Sequence, residues 1–293
     1  MCAACVVWAM ASFPNSLSER TPPLRDISRF ETLLVERRGA VDWVTLNRPG
    51  KLNALNSVLV RELGEYFGGL YREYDVRVVV LRAAGRAFCA GLDLEEYAGI
   101  EEAEPSMQAA LDIQTRIRDI MKAMRRCPQP VISLVQGAAC GGGFSLALSS
   151  DIRIAGQSAR MNAAYIKVGL TGCDMGSSYF LPRLVGTSVA SELLLTGRFI
   201  DAERALRVNL VSAVVPDVEL EAAAQPYVDE MLATTPLGLR LTKDAINFAI
   251  DAPSMDAAMA MEDRQQILCS QTADHREAIA ARVEKRPPVY RDR

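Results

Sequence analysis

From residue 31 onward the hydrophobic positions alternate between short continuous runs and longer stretches of helical period. Residues 32–36 and 41–46 are β-rich runs on either side of an Arg38-Gly39-Ala40 turn, which predicts a hairpin. A loop follows over 47–55, and apolar residues at 58, 60, 63 and 67 then predict a helix. Val78-Val79-Val80-Leu81 is apolar throughout, as a strand buried on both faces of a sheet should be. Helical periodicity returns over about 105–126 and is ended by Pro128 and Pro130. Runs at 131–135 and 152–155 predict two more strands, and beyond Val218 the pattern is helical to about 284. Strands alternating with helices imply an α/β core, with a helical C-terminal part beginning near 220.

Two junctions in this pattern carry small residues just where a strand ends. One is Gly137-Ala138-Ala139-Cys140-Gly141-Gly142-Gly143, leading into the apolar helix start Phe144-Ser145-Leu146. Consecutive glycines remove every Cβ, so another group can approach the backbone, and amides at a helix start lack intrahelical partners. Such a place suits a phosphate or a negative oxygen that exists only during a reaction; a tight turn with close helix packing explains the glycines equally well. The other junction is Gly85-Arg86-Ala87-Phe88-Cys89-Ala90-Gly91-Leu92, which leaves the 78–81 strand.

Composition narrows the chemistry. A net charge of −3 argues against nucleic acid as the partner, and no apolar run approaches the roughly 20 residues of a membrane span. The seven cysteines are scattered and odd in number, and read as reduced thiols of a cytoplasmic protein. The single histidine, His275, lies in the charged helical stretch Asp274-His275-Arg276-Glu277 and reads as part of a solvated face. Histidine-based nucleophilic or metal machinery is therefore not expected; carboxylates and backbone amides remain. Residues 1–27 have a short apolar start without a basic segment before it, so a disordered tail is expected rather than a secretory signal.

Several stretches in order resemble the enoyl-CoA hydratase/isomerase (crotonase) family. They are Leu46-Asn47-Arg48-Pro49 with Asn53-Ala54-Leu55, Ala87-Phe88-Cys89-Ala90-Gly91-Leu92-Asp93-Leu94, and Gln136 to Gly143. Asp151-Ile152-Arg153-Ile154-Ala155, Leu195-Thr196-Gly197 and Glu284-Lys285-Arg286-Pro287-Pro288-Val289 match as well. The resemblance implies an α/β fold, a spiral of ββα repeats over 28–220 that binds acyl-CoA. It also implies that the helices of 221–293 build trimers or dimers of trimers. The substrate would be an acyl-CoA thioester, with coenzyme A part of the substrate and no separate cofactor. Its thioester oxygen would be held by the amides of Leu92 and Gly142. Lys51, Asn53 and Ala54 would lie near the phosphates and pantetheine, and Ala87 and Ala90 near the adenine. Lys243 would reach the coenzyme phosphates; an exposed helix lysine is the plainer reading.

Hydratases of the family use two glutamates, and this chain departs from them. The corresponding positions hold Ser145 and Tyr165, neither of which takes up a proton as a carboxylate does near neutral pH. Asp174 matches an acidic position that some double-bond isomerases use as their only essential acid and that the dehalogenase branch uses as its nucleophile. Its alternative role is to cap the helix running through Ser178 to Leu181. Asp93 is expected to be structural, Glu95 and Glu96 to start a solvated helix, and Cys140 and Cys173 to be small buried filler. The expectation is Δ3-to-Δ2 enoyl-CoA isomerisation or a related proton transfer, with Asp174 as base then acid. Apolar neighbours such as Met175 and Phe180 would raise its pKa. Water addition, thioester hydrolysis and non-catalytic acyl-CoA binding are the alternatives.

Overall fold

The computed structural model describes residues 29–103 and 106–292, so the expected tail of residues 1–27 lies outside the described residues. Strands β1 (Leu33–Arg38) and β2 (Val41–Leu46) form the expected hairpin, closed by Gly39 at φ 60°. β3 (Val78–Ala83), β4 (Val131–Val135), β6 (Ile152–Gly156) and β9 (Ala213–Val215) add to it in parallel, giving the order β1-β2-β3-β4-β6-β9. β2 and β4 are buried at every residue, which is why they carry no polar alternation. A second, smaller sheet is made of β5 (Ala138–Cys140), β7 (Arg160–Asn162) and β8 (Ile200–Asp201).

Helices cover both faces of the large sheet. α1 (Ser57–Gly69) is started by Asn56, whose side chain accepts from the Leu59 amide. α2 (Leu94–Ala103) has Glu95 and Glu96 in its first turn, as expected. α3 (Met107–Arg126) is capped by Ser106 and buries Ile117, Ile120, Met121 and Met124, one stripe of helical spacing that meets α1 in the main core. α4 (Gly142–Ser149) is buried at every residue, so its neighbours surround it. α5 (Ser177–Thr196) and α6 (Ala202–Arg207) complete that side.

The helical stretch beyond 220 is of two kinds. α7 (Leu220–Leu232) packs Leu220, Ala224 and Val228 on the second face of the sheet, against Trp43, Val80 and Ile132. α8 (Pro236–Ala249), α9 (Met255–Ser270) and α10 (Ala273–Glu284) follow, and they present apolar side chains such as Ile267 and Val283 to solvent. Among the described residues no helix is long and apolar enough to cross a membrane. Strands β5, β7, β8 and β9 lie outside the sequence expectation because three residues or fewer leave no readable alternation.

Candidate active site

The site is built where β5 runs into α4. Gly141 holds φ 49° and ψ −117°, a conformation open to glycine, and this turns the following peptide so that α4 starts abruptly at Gly142. The next two glycines are needed for space. A Cβ on Gly143 would lie 2.1 Å from the Cys89 carbonyl oxygen, and one on Gly142 would lie 2.7 Å from a Leu55 methyl. The backbone of 87–93 therefore lies directly against the start of α4. Bonds from Cys89 N to Ala138 O and from Cys140 N to Cys89 O, each 3.0 Å, zip it to β5. On its other side Leu55 N donates to Gly91 O at 2.7 Å, and Asp93 N donates to Leu55 O at 3.0 Å.

This clamp brings two amides together. Gly91 has φ 103°, and a Cβ placed on it would sit 2.9 Å from Cys140 O and 3.7 Å from Gly142 N. The amide of Leu92, the next residue, is thus beside the amide of Gly142. Neither donates to any acceptor among the described residues, and the Gly143 and Phe144 amides that follow at the start of α4 are likewise without one. Two unengaged N–H groups at one place form a site for an oxyanion.

Asp174 stands at the edge of the same site. Its carbonyl oxygen lies 3.4 Å from Ser145 Oγ, one turn along α4 from Gly142, and the Met175 side chain covers Gly142. The carboxylate Oδ1 accepts from the Met175 amide at 2.7 Å and from Gln114 of α3, while Oδ2 takes no bond from the described residues. Burial raises the pKa of this half-buried carboxyl against the opposing pull of the Met175 amide and Gln114. The expected apolar neighbour Met175 is buried at the site, and Phe180 packs on Gly176. A cleft of about 1110 Å³ between α3, α5 and α8 opens at Met175 and Gly176, with Met121, Phe180 and Leu241 in its walls.

Capping is not the role of the Asp174 side chain. Residue Gly176, at φ 84°, precedes α5 and no side chain caps it; only the main-chain oxygen of Asp174 accepts, from Ser177 N at 2.8 Å. The left-handed Met175 and Gly176 fold the chain back at this point, which leaves the carboxylate off the helix axis.

Comparison with known proteins agrees with this architecture. A family model described as enoyl-CoA hydratase/isomerase matches residues 36–293. The chain belongs to the enoyl-CoA hydratase/isomerase family. It is 39% identical over 269 residues to a probable enoyl-CoA hydratase of Mycobacterium tuberculosis, covering 90% of this chain and 94% of that protein. It is 34% identical over 260 residues to the 1,2-epoxyphenylacetyl-CoA isomerase of Escherichia coli, covering 89% of this chain and 98% of that one. The crystal structure of a putative enoyl-CoA hydratase from Streptomyces coelicolor superposes with a TM-score of 0.88 at 34% identity, covering 94% of this chain and all of that one (100%). These structural neighbours share the crotonase fold expected from the sequence.

Within the family, the substitutions at Ser145 and Tyr165 have a structural consequence. The two side chains are hydrogen-bonded to each other at 2.5 Å and both are buried. Tyr165 OH also lies 3.0 Å from Gly141 O, and burial pushes its phenol well above the usual range, so it stays protonated. Asp93 is structural as expected, paired with Arg48 at 2.9 Å; Arg48 also donates to Ala54 O. Arg48 and Gln114 are the site residues the sequence did not single out. Arg48 lay inside a matched motif, whereas nothing marked Gln114 among the polar residues of its helix.

Of the expected coenzyme contacts, Lys243 is not the exposed helix lysine of the plainer reading: its ammonium is buried, 2.9 Å from Met124 O, 2.8 Å from Gln129 O and 2.9 Å from Asp151 Oδ2. All three ammonium hydrogens have acceptors, so none is left for a ligand. Asn53 is also turned inward. Its amide donates to Ala84 O at 2.9 Å and Ala87 O at 2.8 Å, and its Oδ1 accepts from Arg48 N, so it ties the 47–55 and 84–87 loops together. Ala54 and Ala87 are buried, Ala90 is partly exposed, and Ala90 N donates to Leu52 O at 3.0 Å. Lys51 is exposed and pairs with Glu95 at 2.6 Å. Cys173 is exposed rather than buried filler. Cys140 is half-buried, with its thiol pushed up to about 11 by burial. His275 is exposed on α10.

Proposed function

We propose that this protein isomerises the double bond of an enoyl-CoA thioester, Δ3 to Δ2 or a related proton shift, with Asp174 as the acid/base. The observation that carries this reading is a half-buried carboxyl with one oxygen open, on a residue whose main chain meets Ser145 one turn along α4 from the unengaged Gly142 amide, while hydroxyls occupy both hydratase glutamate positions. The amides of Leu92 and Gly142 hold the thioester oxygen. As a proton leaves, that oxygen gains enolate charge, and each donor is worth on the order of 10²–10³ in rate. Asp174 Oδ2 removes a proton from one of the carbons conjugated to the thioester and returns it to the other. A 1,3-shift needs only this one group, and its raised pKa moves it toward the range in which a carboxylate both takes and gives a proton. The acyl chain would extend into the cleft between α3, α5 and α8, and the exposed apolar faces of α8 to α10 would join copies into a trimer or a dimer of trimers.

Water addition is the second reading, favoured by the names of most relatives. To test the two, 3-enoyl-CoA and 2-enoyl-CoA are incubated with the protein and with Asp174→Asn, and the products are separated. Interconversion of the two enoyl-CoA isomers that is lost in the variant is the expected result. A 3-hydroxyacyl-CoA product that survives in the variant would favour hydration, and no product from either protein would favour a non-catalytic binder.

A further inference from the structure

The hydroxyl pair that replaces the glutamates touches the oxyanion amide from behind. Gly141 and Gly142 share one peptide unit: its N–H is the Gly142 donor, and its carbonyl is Gly141 O. That carbonyl accepts two bonds, from Ser145 N at 3.0 Å and from Tyr165 OH at 3.0 Å. The Tyr165 ring also flanks the glycine, since a Cβ on Gly141 would be 3.6 Å from two ring carbons. The glycine before this peptide, at φ 49°, ψ −117°, has no side chain to help hold the peptide plane, so the two bonds to its carbonyl do so. The phenol holds it from the carbonyl end.

We propose that Tyr165 is a positioning residue for the Gly142 amide, fixing the plane of the Gly141–Gly142 peptide and polarising its N–H toward the substrate oxygen. Such a role presupposes the enolate-forming reaction proposed above. The Tyr165 hydroxyl has one proton, and so has that of Ser145. If Ser145 donates to Tyr165, the phenol proton is free for Gly141 O, and each contact in the chain is 3.0 Å or shorter. The reverse order sends the Ser145 proton to Asp174 O across 3.4 Å, the longest contact of the set. The first order therefore predominates, and Ser145, Tyr165 and the peptide form a chain of donors that strengthen one another. Burial keeps the phenol protonated and hence able to donate.

The test combines kinetics with a spectroscopic probe, 4-(dimethylamino)cinnamoyl-CoA, whose absorption moves to the red when hydrogen bonds polarise its thioester carbonyl. Tyr165→Phe keeps the ring and removes the hydroxyl. It is expected to lower kcat about five- to tenfold with KM nearly unchanged, as for loss of one neutral hydrogen bond felt in the transition state. The red shift should shrink by on the order of 10–30%. Ser145→Ala leaves the ring packing untouched and should give a smaller change in the same direction, which keeps the idea testable should Tyr165→Phe fold poorly. Asp174→Asn should lose turnover yet keep the full red shift, which separates the amides from the acid/base. A full red shift in both hydroxyl variants overturns the positioning role while leaving the isomerase reading intact. No red shift in the unaltered protein overturns both.

Discussion

Two charged groups lie close to the same cleft and are treated in opposite ways. Lys243 is 5% exposed, and Met124 O, Gln129 O and Asp151 take all its protons; Asp151 in turn accepts from Arg125 and from the Val131 amide. Asp174 is only half-buried, has partners on Oδ1 alone, and is pushed away from its ordinary pKa by burial. A charge whose hydrogen-bonding capacity is filled is fixed in place and has nothing to offer a substrate. A charge that is partly desolvated and partly unengaged holds free energy that a reaction can use. The contrast lies in saturation, not in burial, and it separates a structural ion cluster from the proposed acid/base.

The sharpest way to break this contrast is to remove each charge. Asp174→Asn should lower proton transfer by about 10²–10⁴-fold, the usual contribution of a positioned acid/base. Lys243→Met should leave activity per folded molecule close to normal but lower stability by about 3 kcal/mol in denaturant titrations, because Asp151 is left without its buried partner. If Lys243→Met instead folds normally and raises KM for acyl-CoA, the lysine does meet the coenzyme and the assignment of roles is wrong.

The pH dependence sharpens the same comparison. The Asp174 pKa is raised in the folded state, so protonation favours the fold: that stability is fully present below the unfolded-state value and is lost as pH rises through the folded value. At neutral pH the ionised group costs stability, and Asp174→Asn should raise the melting temperature there while abolishing activity. The acid limb of kcat/KM should lie above the ordinary aspartate range for the same reason. Smallest of all, His275→Ala on the exposed face of α10 should stay within about 0.5 kcal/mol of the parent and leave the pH profile unchanged.

The sequence told these two charges apart poorly, and the reasons are physical. Val78 to Leu81 and Val131 to Val135 announce a buried parallel sheet because they are almost wholly apolar, with Ser133 the one polar residue, and the triple glycine marks a place where a missing Cβ lets backbone or helix approach closely. Whether Lys243 points in or out depends on Met124, Gln129 and Asp151, which its own helix does not reveal. That the Asp174 side chain does not cap α5 turned on the left-handed Met175, a conformation that residue type does not foretell. The contact of Gln114 with Asp174 depends on where α3 packs, which the pattern of its own helix does not reveal. Neighbouring elements decided each of these cases; local pattern decided the strands.

The most direct measurement is solvent deuterium incorporation into enoyl-CoA in D2O, followed by NMR for the parent protein and for Asp174→Asn at matched folded concentration. A carboxylate working against two fixed amides predicts label at C2 and C4 in the parent and incorporation slowed by about 10²–10⁴-fold in the variant. Label entering at an undiminished rate in Asp174→Asn would contradict it.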